Sequence, residues 1–343
     1  MTGSTDPMGD LATPSVAAPN GDGVQIGVDI GGTSTSVALI GSDYRVIARA
    51  NGDTPAAVGP EAVLNRVGEL IHHLLGCVWL DTEESSRNGG DDHADADYVI
   101  GVGTTGIIDP GTGVIRASTS AMPGWQGTDV VGGLQARLGS TRVHALNDVH
   151  AFALGEGVAG AAQRYRSFLA ITLGTGIGGA VVADGQLLLG RHAAAGHVGH
   201  ITVPQAAGVR CPCGALGHLE GIGGAPAVLA RAQAAGVVSR DVKGLFDAAK
   251  VGDREARAQV EGLACAIGVA IADITATVAP DIVVVGGGLA RAGDVLMNRV
   301  RESFAESVLP LFADVPIVTS QLDADAVMIG AVAGVPAARG GHA

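Results

Sequence analysis

The chain has 343 residues, a hydrophobic content of 47% and a formal net charge of -13. The length predicts about two domains, and the negative charge argues against nucleic acid or an anionic membrane as a partner. No apolar run reaches the ~18 residues of a membrane span. The N-terminus lacks the basic and apolar segments of a signal peptide, so we expect a cytoplasmic protein. The 4 cysteines do not form a disulfide framework in a chain of this length.

The N-terminal part of the chain predicts a tail followed by a β-hairpin. Residues 1–23 are rich in Gly, Pro, Ala and Thr without periodicity, which predicts a disordered tail. Strands are expected over residues 24–30 and 36–40, joined by the turn Gly31-Gly32-Thr33. Asp29 can hold a metal-bound water, and the two glycines let backbone N–H groups approach phosphate oxygens. The alternative is an ordinary hairpin.

A helix, an acidic loop and a strand follow. Apolar residues at helical spacing predict an amphipathic helix over residues 60–78. Residues 81–97 are polar and acidic, which predicts a solvated loop. Residues 98–103 predict a strand that ends at Gly103, and the small residues of the following turn could admit a ligand.

An Asn-Asp pair stands at the end of the next predicted strand. Residues 142–146 predict the strand, Asn147 and Asp148 follow it, and residues 151–158 predict a helix. Ligands of open α/β sheets bind at the carboxyl ends of strands, where Asn can donate and accept and Asp can take a proton. The alternative is equally good, because both residue types are preferred helix N-caps.

A second glycine loop, residues 174–179, lies between predicted strands at 167–173 and 180–182. A glycine loop between two strands argues against a dinucleotide fingerprint. It is similar to the first hairpin, which suggests two similar lobes holding one polyphosphate. Further along, helices are predicted over residues 224–236, 242–250, 253–278, 292–308 and 325–337, and strands over 281–285 and 315–319. The triglycine after residue 285 could let a flat ring lie against the backbone, or form a plain strand–helix turn.

Metal-ligating residue types are densest in residues 197–220. His200, Cys211, Cys213 and His218 form a two-sulfur, two-nitrogen set that suits tetrahedral zinc. Four protein ligands leave no open position, so we expect a structural metal. The alternative is two free cysteines in a loop. His197 and Glu220 flank the set and remain available for substrate.

Taken together and in this order, the motifs resemble those of the ROK family (repressors, open reading frames and kinases) over residues 24–338. The resemblance rests on Asp29–Thr33, Leu146–Asp148, Leu173–Gly179, Gly199-His200, Cys211–Gly214 and Gly286–Gly288. It implies an α/β, two-lobe actin-like ATPase fold (ribonuclease H-like, hexokinase-type) with an interlobe cleft. One lobe would comprise residues 24–146 joined by the C-terminal helix 325–338. The other would comprise residues 147–324 and carry a zinc loop at 197–220.

The resemblance also implies an ATP-dependent sugar kinase that uses Mg²⁺ and a structural Zn²⁺ and forms a homodimer. Asp148 would be the general base that takes a proton from a sugar hydroxyl, and the zinc would fix the loop that aims His200 and Glu220. The sugar contacts would come from Gly103, Asn147, Asp148, His197, His200 and Glu220. The nucleotide and its magnesium would be bound by Asp29, Gly31, Gly32, Thr33, Gly174, Thr175, Gly176, Gly178, Gly286, Gly287 and Gly288.

Three positions depart from the family pattern. His197 replaces the usual Glu, His218 replaces a cysteine, and Ala121 replaces an Asn. The first and third changes put glucose in doubt, so we expect a hexose or N-acetylhexosamine substrate, with N-acetylmannosamine slightly favoured. The alternatives are a sugar-responsive transcriptional regulator and a non-catalytic sugar-binding protein. Residues 1–23 are too short and too rich in Gly and Pro for a DNA-binding domain. Asp148 and both glycine hairpins argue against a non-catalytic role.

Overall fold

A computed structural model describes residues 25–80, 99–119, 121–139, 142–292 and 294–336. The predicted tail at 1–23 and the predicted acidic loop at 81–97 lie outside the described residues. The chain divides into two compact units. Of the described residues, unit 1 comprises 25–80, 99–119, 121–139, 142–158, 189–194 and 325–336, and unit 2 comprises 159–188, 195–292 and 294–324. Residues 147–158 and 189–194 therefore lie in unit 1, whereas the sequence predicts them in the second lobe.

Unit 1 is built on a five-stranded sheet. Its strands are β1 (Gln25–Ile30), β2 (Ser34–Ile40), β3 (Val46–Asp53), β4 (Val99–Thr104) and β7 (Arg142–Asn147). The order is β3-β2-β1-β4-β7. The first three strands are antiparallel, and β4 and β7 run parallel to β1. A separate two-stranded sheet is formed by β5 (Ile107–Ile108) and β6 (Ile115–Ala117).

The two faces of this sheet are covered for different reasons. Ile26, Val28 and Ile30 alternate along β1 and lie in one core with apolar residues of α1 (Pro60–Leu80) and α2 (Val130–Leu138). The opposite face carries glycines. A Cβ at Gly27 or Gly101 would collide with the backbone of α9 (Ala326–Ala333), so these glycines let α9 pack closely on β1 and β4. The helix α3 (Asp148–Ala159) follows β7 directly.

Unit 2 repeats this topology. Its strands are β8 (Phe168–Leu173), β9 (Ile177–Ala183), β10 (Gln186–Leu187), β11 (Ile282–Gly286) and β12 (Ile317–Thr319), in the order β10-β9-β8-β11-β12. Again three antiparallel strands are followed by two strands parallel to the central one. The predicted α/β class is confirmed, and each unit has a glycine turn between its first two strands.

Five helices complete unit 2: α4 (Glu220–Gly223), α5 (Ala225–Ala234), α6 (Val242–Val251), α7 (Arg254–Val278) and α8 (Asp294–Ser307). Asp241 and Asp253 begin α6 and α7 as N-caps, and their carboxylates accept bonds from Gly244 N and Ala256 N. In the part of the chain that the structure describes, α7 alone is long and apolar enough by length and composition to cross a membrane. However, 56% of its apolar window is buried within the protein, which is typical of a core helix.

Several boundaries differ from the sequence predictions, among them the end of α9 at Ala333 rather than residue 337. The helix α3 begins at Asp148 rather than residue 151, and β9 begins at Ile177, so that Gly178 lies in a strand rather than a loop. The helix predicted over 224–236 is preceded by the short helix α4. The helix α2 and the strands β5 and β6 were not predicted.

Candidate functional site

Unit 1 brings two carboxylates close together. Asp29 lies near the end of β1, and Asp148 begins α3 at the end of β7. Because β1 and β7 both flank β4 and run parallel to it, their carboxyl ends meet at one edge of the sheet. Burial raises the pKa of Asp29 to about 7, and repulsion by the Asp148 carboxylate adds to this shift. A pair of carboxylates of this kind suits a divalent cation such as Mg²⁺.

Asn147 holds the start of α3 and orients Asp148. Its Oδ1 accepts hydrogen bonds from Val149 N (3.0 Å) and His150 N (3.2 Å), which makes it the helix N-cap. Its Nδ2 donates to Gly106 O (3.1 Å) and to Asp148 Oδ1 (2.9 Å). The N-cap alternative is therefore confirmed for Asn147, which also touches the candidate base Asp148. Its contact with a sugar stays a prediction.

Two hydrogen bonds fix Oδ1 of the Asp148 carboxylate. It accepts from Val149 N (2.9 Å) as well as from Asn147 Nδ2. The N–H groups at the start of a helix stabilise negative charge, so a carboxylate fits this position.

The first glycine turn is narrow and leaves its backbone accessible. Gly31 N donates to Ser34 O (3.0 Å), Gly31 and Gly32 are half-buried, and Thr33 is exposed. A Cβ at Gly32 would lie 3.1 Å from Ala121, so a larger residue at position 121 would press on this turn. Because Gly31 N already donates to Ser34 O, Gly32 N and Thr33 N are the groups of this turn that would have to meet phosphate oxygens, and that contact stays a prediction.

Gly103 has a packing role. A Cβ at this position would collide with Val327 of α9 and lie 3.3 Å from Ala151 of α3. The glycine is therefore explained by the close packing of both helices on β4. The predicted contact between Gly103 and the sugar could be made only by the Gly103 backbone, and it remains a prediction.

Unit 2 brings the four predicted metal ligands together. One ligand atom each from His200, Cys211, Cys213 and His218 lies within 4.8 Å of the others. Cys211 Sγ is 3.6 Å from His200 Nδ1, and Cys213 Sγ is 3.2 Å from His218 Nδ1. A tetrahedral zinc with bonds of about 2.0–2.3 Å requires ligand spacings of roughly 3.3–3.8 Å. The two sulfur–nitrogen distances lie close to this range and the whole set spreads to 4.8 Å, so the donor types and their grouping suit a tetrahedral metal such as zinc.

Backbone turns place these ligands. Gly214 N donates to Cys211 O and Cys211 N to Ala215 O (both 2.8 Å), which closes the turn that carries both cysteines. Gly214 has a φ of 96°, a left-handed conformation that favours glycine, which explains its place in Cys-x-Cys-Gly. His200 ends a short 3₁₀ helix, Val198–His200, and His218 pairs with Thr202 in an isolated β-bridge.

The cluster is partly withdrawn from water. Burial lowers the pKa of His200, Glu220 opposes this shift, and His197 and His218 add to it. Burial also raises the pKa of the Cys211 thiol to about 11; the backbone N–H of Cys213 opposes this shift, and the Cys213 side chain adds to it. Zinc binds thiolate rather than thiol, so metal binding here would release protons.

The second glycine turn meets both the metal region and the triglycine. Ile177 N, just after the turn Gly174–Gly176, donates to Glu220 Oε2 (3.0 Å). The sequence could not reveal this contact, because a backbone N–H carries no residue signal. Gly287 has a φ of 90°, and a Cβ there would collide with Leu173, the residue before the turn. A Cβ on Gly288 would meet nothing within 4 Å, so this glycine borders open space.

The predicted nucleotide residues of unit 2 thus divide into two groups. The first group can face a ligand. It contains the half-buried Gly174 and Gly176, the exposed Thr175, and Gly288, which borders open space. Gly178 pairs with Thr172 within the β8–β9 ladder, so its backbone is already committed to the sheet. Gly286 ends β11 and is also paired with Thr172.

Comparison with known proteins adds independent evidence. Residues 25–337 match the model of the ROK family. The chain is 35% identical over 321 residues to a glucokinase of Thermotoga maritima, covering 89% of this chain and 95% of the relative. It is 32% identical over 308 residues to an N-acetylmannosamine kinase of Salmonella typhimurium, covering 89% and 96%. A ROK family glucokinase from Streptomyces griseus, solved in complex with glucose and AMPPNP, matches with a TM-score of 0.75 and 25% identity over 90% of this chain and 98% of that chain.

Proposed function

Because the chain belongs to the ROK family and is an ATP:sugar phosphotransferase of the hexokinase type, we propose that it phosphorylates a hydroxyl of a hexose or N-acetylhexosamine, with Asp148 as the general base. Its repeated sheet topology is that of the actin-like two-lobe fold. The observation that carries the proposed base is the Asp148 carboxylate, which stands at the start of α3 with one oxygen held by Asn147 and Val149 N.

In this mechanism the Asp148 carboxylate accepts the proton of the attacking sugar hydroxyl. A positioned general base contributes about 10²–10⁴-fold to the rate. Asn147 keeps the carboxylate in place and caps the helix. Asp29 would bind the magnesium of the nucleotide through water, and that cation would neutralise charge on the transferring phosphoryl group. Backbone N–H groups of the Gly31–Thr33 turn would contact phosphate oxygens.

Unit 2 would supply the remaining nucleotide and sugar contacts. The turn Gly174–Gly176 would offer the backbone N–H groups of Thr175 and Gly176 to the nucleotide, since Gly174 N already donates to Gly176 O (2.9 Å). Gly288 leaves space for the flat ring of the nucleotide. His200 faces Cys211 with Nδ1, which leaves Nε2 for a sugar hydroxyl. Glu220 uses Oε2 for Ile177 N, so Oε1 is the oxygen suited to a sugar. Zinc on the four-residue cluster would fix the segment that carries both residues.

His197 is the residue on which the sugar preference is proposed to depend. Its ring is stacked on that of His200, with centroids 6.0 Å apart and planes 18° from parallel. A neutral imidazole can donate a hydrogen bond to an acetamido carbonyl, which a carboxylate cannot do. We therefore favour N-acetylmannosamine slightly over glucose. The similarity to an N-acetylmannosamine kinase and to a glucokinase is compatible with both sugars.

The test is ADP release from Mg²⁺-ATP with glucose, mannose, N-acetylglucosamine and N-acetylmannosamine. We expect turnover with at least one sugar and the highest kcat/KM with N-acetylmannosamine. His197→Glu should shift the ratio of kcat/KM towards glucose by about 10-fold, the range that one polar contact to a substrate provides. Folded, zinc-loaded protein without turnover on any of the four sugars would overturn the proposal, and an unchanged ratio would remove His197 from it. The homodimer and the cytoplasmic location remain predictions from the sequence.

A further inference from the structure

The segment that carries the metal ligands, residues 196–220, packs directly on the β8–β9 hairpin. Gly199 immediately precedes the ligand His200, and its missing side chain lets its backbone lie against the Ile177 carbonyl. Val198 presses on Gly179, where a Cβ would lie 2.6 Å from Val198 Cγ1. The hairpin is therefore held on one side by the residues next to the first metal ligand.

Glu220 holds the same hairpin through a hydrogen bond. It stands two residues after the ligand His218, and its Oε2 accepts from Ile177 N at 3.0 Å. A Cβ on Gly176 would lie 2.6 Å from this oxygen, so the glycine makes room for the carboxylate. Glu220 also begins α4, and Ala225 N just beyond that helix donates to Gly174 O (2.9 Å).

These contacts leave the turn Gly174–Gly176 few ways to move independently. Its first residue is bonded to Ala225, and the residue after it is bonded to Glu220. A turn that is ordered before the ligand arrives loses less conformational entropy when it binds. The hydrogen bonds that order this turn should therefore raise its affinity for the nucleotide.

We propose that Glu220 is a positioning residue for the nucleotide-binding turn Gly174–Gly176, in addition to any contact with the sugar. The inference rests on the proposed function, which assigns this turn to the nucleotide. Through Glu220, the metal-bearing segment sets the conformation of the turn. Loss of the carboxylate oxygen that accepts from Ile177 N therefore weakens nucleotide binding even when no sugar is present.

The test compares Glu220→Gln with Glu220→Ala. Both variants remove the negative charge, but only Gln keeps an oxygen that can accept from Ile177 N. Binding of Mg²⁺-ADP without sugar is measured by calorimetry on zinc-loaded protein. We expect the Kd of the Ala variant to be about 3- to 10-fold higher than that of the Gln variant, the range that a single hydrogen bond provides. Equal Kd values for the two variants would overturn the inference.

Hydrogen exchange gives a readout that is independent of ligand. A peptide spanning residues 170–180 should exchange faster in Glu220→Ala than in Glu220→Gln, because the Ile177 amide loses its acceptor. If Glu220→Ala loses zinc or does not fold, Gly176→Ala serves instead, since its Cβ displaces the carboxylate from the other side. Unchanged exchange in the variant that folds would refute the positioning role.

The outcomes separate this inference from the proposed function. Wild-type protein that binds no Mg²⁺-ADP would overturn both. Wild-type protein that binds it, with equal Kd values and equal exchange in the two Glu220 variants, would leave the kinase assignment intact and remove only the role of Glu220 on the turn.

Discussion

Asp29→Asn should stabilise the protein in the absence of magnesium while reducing its activity. Burial raises the pKa of Asp29 from 3.8 to about 7 in the folded chain, and repulsion by Asp148 adds to the shift. The folded state therefore keeps a proton on Asp29 that the unfolded state releases. The stability that this proton contributes is fully present below about pH 4 and is lost as the pH rises through about 7.

The magnitude follows from the size of the shift. Three pH units at about 1.4 kcal/mol each give an upper value of about 4 kcal/mol at pH 8. Because Asp29 is only half-buried, we expect about 2–4 kcal/mol. Asn has nearly the same shape and does not ionise, so the variant escapes this loss. Since 1 kcal/mol moves the Tm of a large domain by about 2–4 °C, the gain at pH 8 is at least about 4 °C.

The assay is thermal unfolding of wild type and Asp29→Asn between pH 5 and pH 8, without magnesium or nucleotide. The gap in stability should shrink to less than half at pH 5, because the wild-type carboxylate then costs less to protonate. Mg²⁺-ADP should raise the Tm of the wild type more than that of the variant. Asp43→Asn, at an exposed position of unit 1, controls for the loss of one charge. A variant less stable than wild type at pH 8 would refute the reasoning.

Four further variants have expected outcomes. Asp148→Asn should lower kcat by about 10²–10⁴-fold in the assay of ADP release. The Kd for sugar, measured by calorimetry, should stay within a few-fold of wild type. Near-normal turnover would show that another group is the base. Elemental analysis should find zinc in wild type but not in Cys211→Ser, and the variant should have a higher KM for sugar. Zinc added to chelated wild type should release protons in an unbuffered titration. Wild type without zinc would contradict this prediction. Gly103→Ala should destabilise the fold by about 1–3 kcal/mol because its Cβ meets Val327 and Ala151. Gly288→Ala should change the free energy of unfolding by less than about 0.5 kcal/mol yet weaken Mg²⁺-ADP binding, because its Cβ enters open space. Equal unfolding midpoints for the two glycine variants would contradict both the packing role of Gly103 and the ligand role of Gly288.

Much of the fold could be predicted from hydrophobic pattern. The sequence predicts a buried strand over residues 24–30, and β1 is buried at five of its six positions, with Ile26, Val28 and Ile30 in the core of unit 1. Helix starts were harder. The helix α3 begins at Asp148 because Asn147 Oδ1 satisfies two N–H groups that would otherwise be unpaired. The helix α2 was missed because Gly132 and Gly133 lower its helix propensity, although Asp129 caps it by accepting from Gly132 N.

The parts of the candidate site whose residues lie close together in the sequence could be predicted, and the parts that depend on distant residues could not. The four predicted metal ligands could be identified from the sequence because Cys and His are typical zinc ligands and all four lie within residues 200–218. The pairing of Asp29 with Asp148 needed the parallel arrangement of β1, β4 and β7, which no local pattern contains. The bond from Ile177 N to Glu220 was out of reach, because any residue but proline offers the same donor.

The glycines show most clearly what the structure adds to motif reading. Every glycine motif in this sequence reads equally well as a ligand loop or as a packing requirement. The space around each Cα separates the two. Gly27, Gly101 and Gly103 are explained by neighbouring atoms, since a Cβ would collide with α9. Gly174 and Gly288 have neither a positive φ nor a neighbour within 4 Å of a Cβ, so packing does not require glycine there. The same holds for Gly76 in α1 and Gly262 in α7, so open space alone does not identify a ligand loop. Gly174 and Gly288 differ from these two because they lie in the motifs proposed for the nucleotide, where open space suits the approach of a ligand.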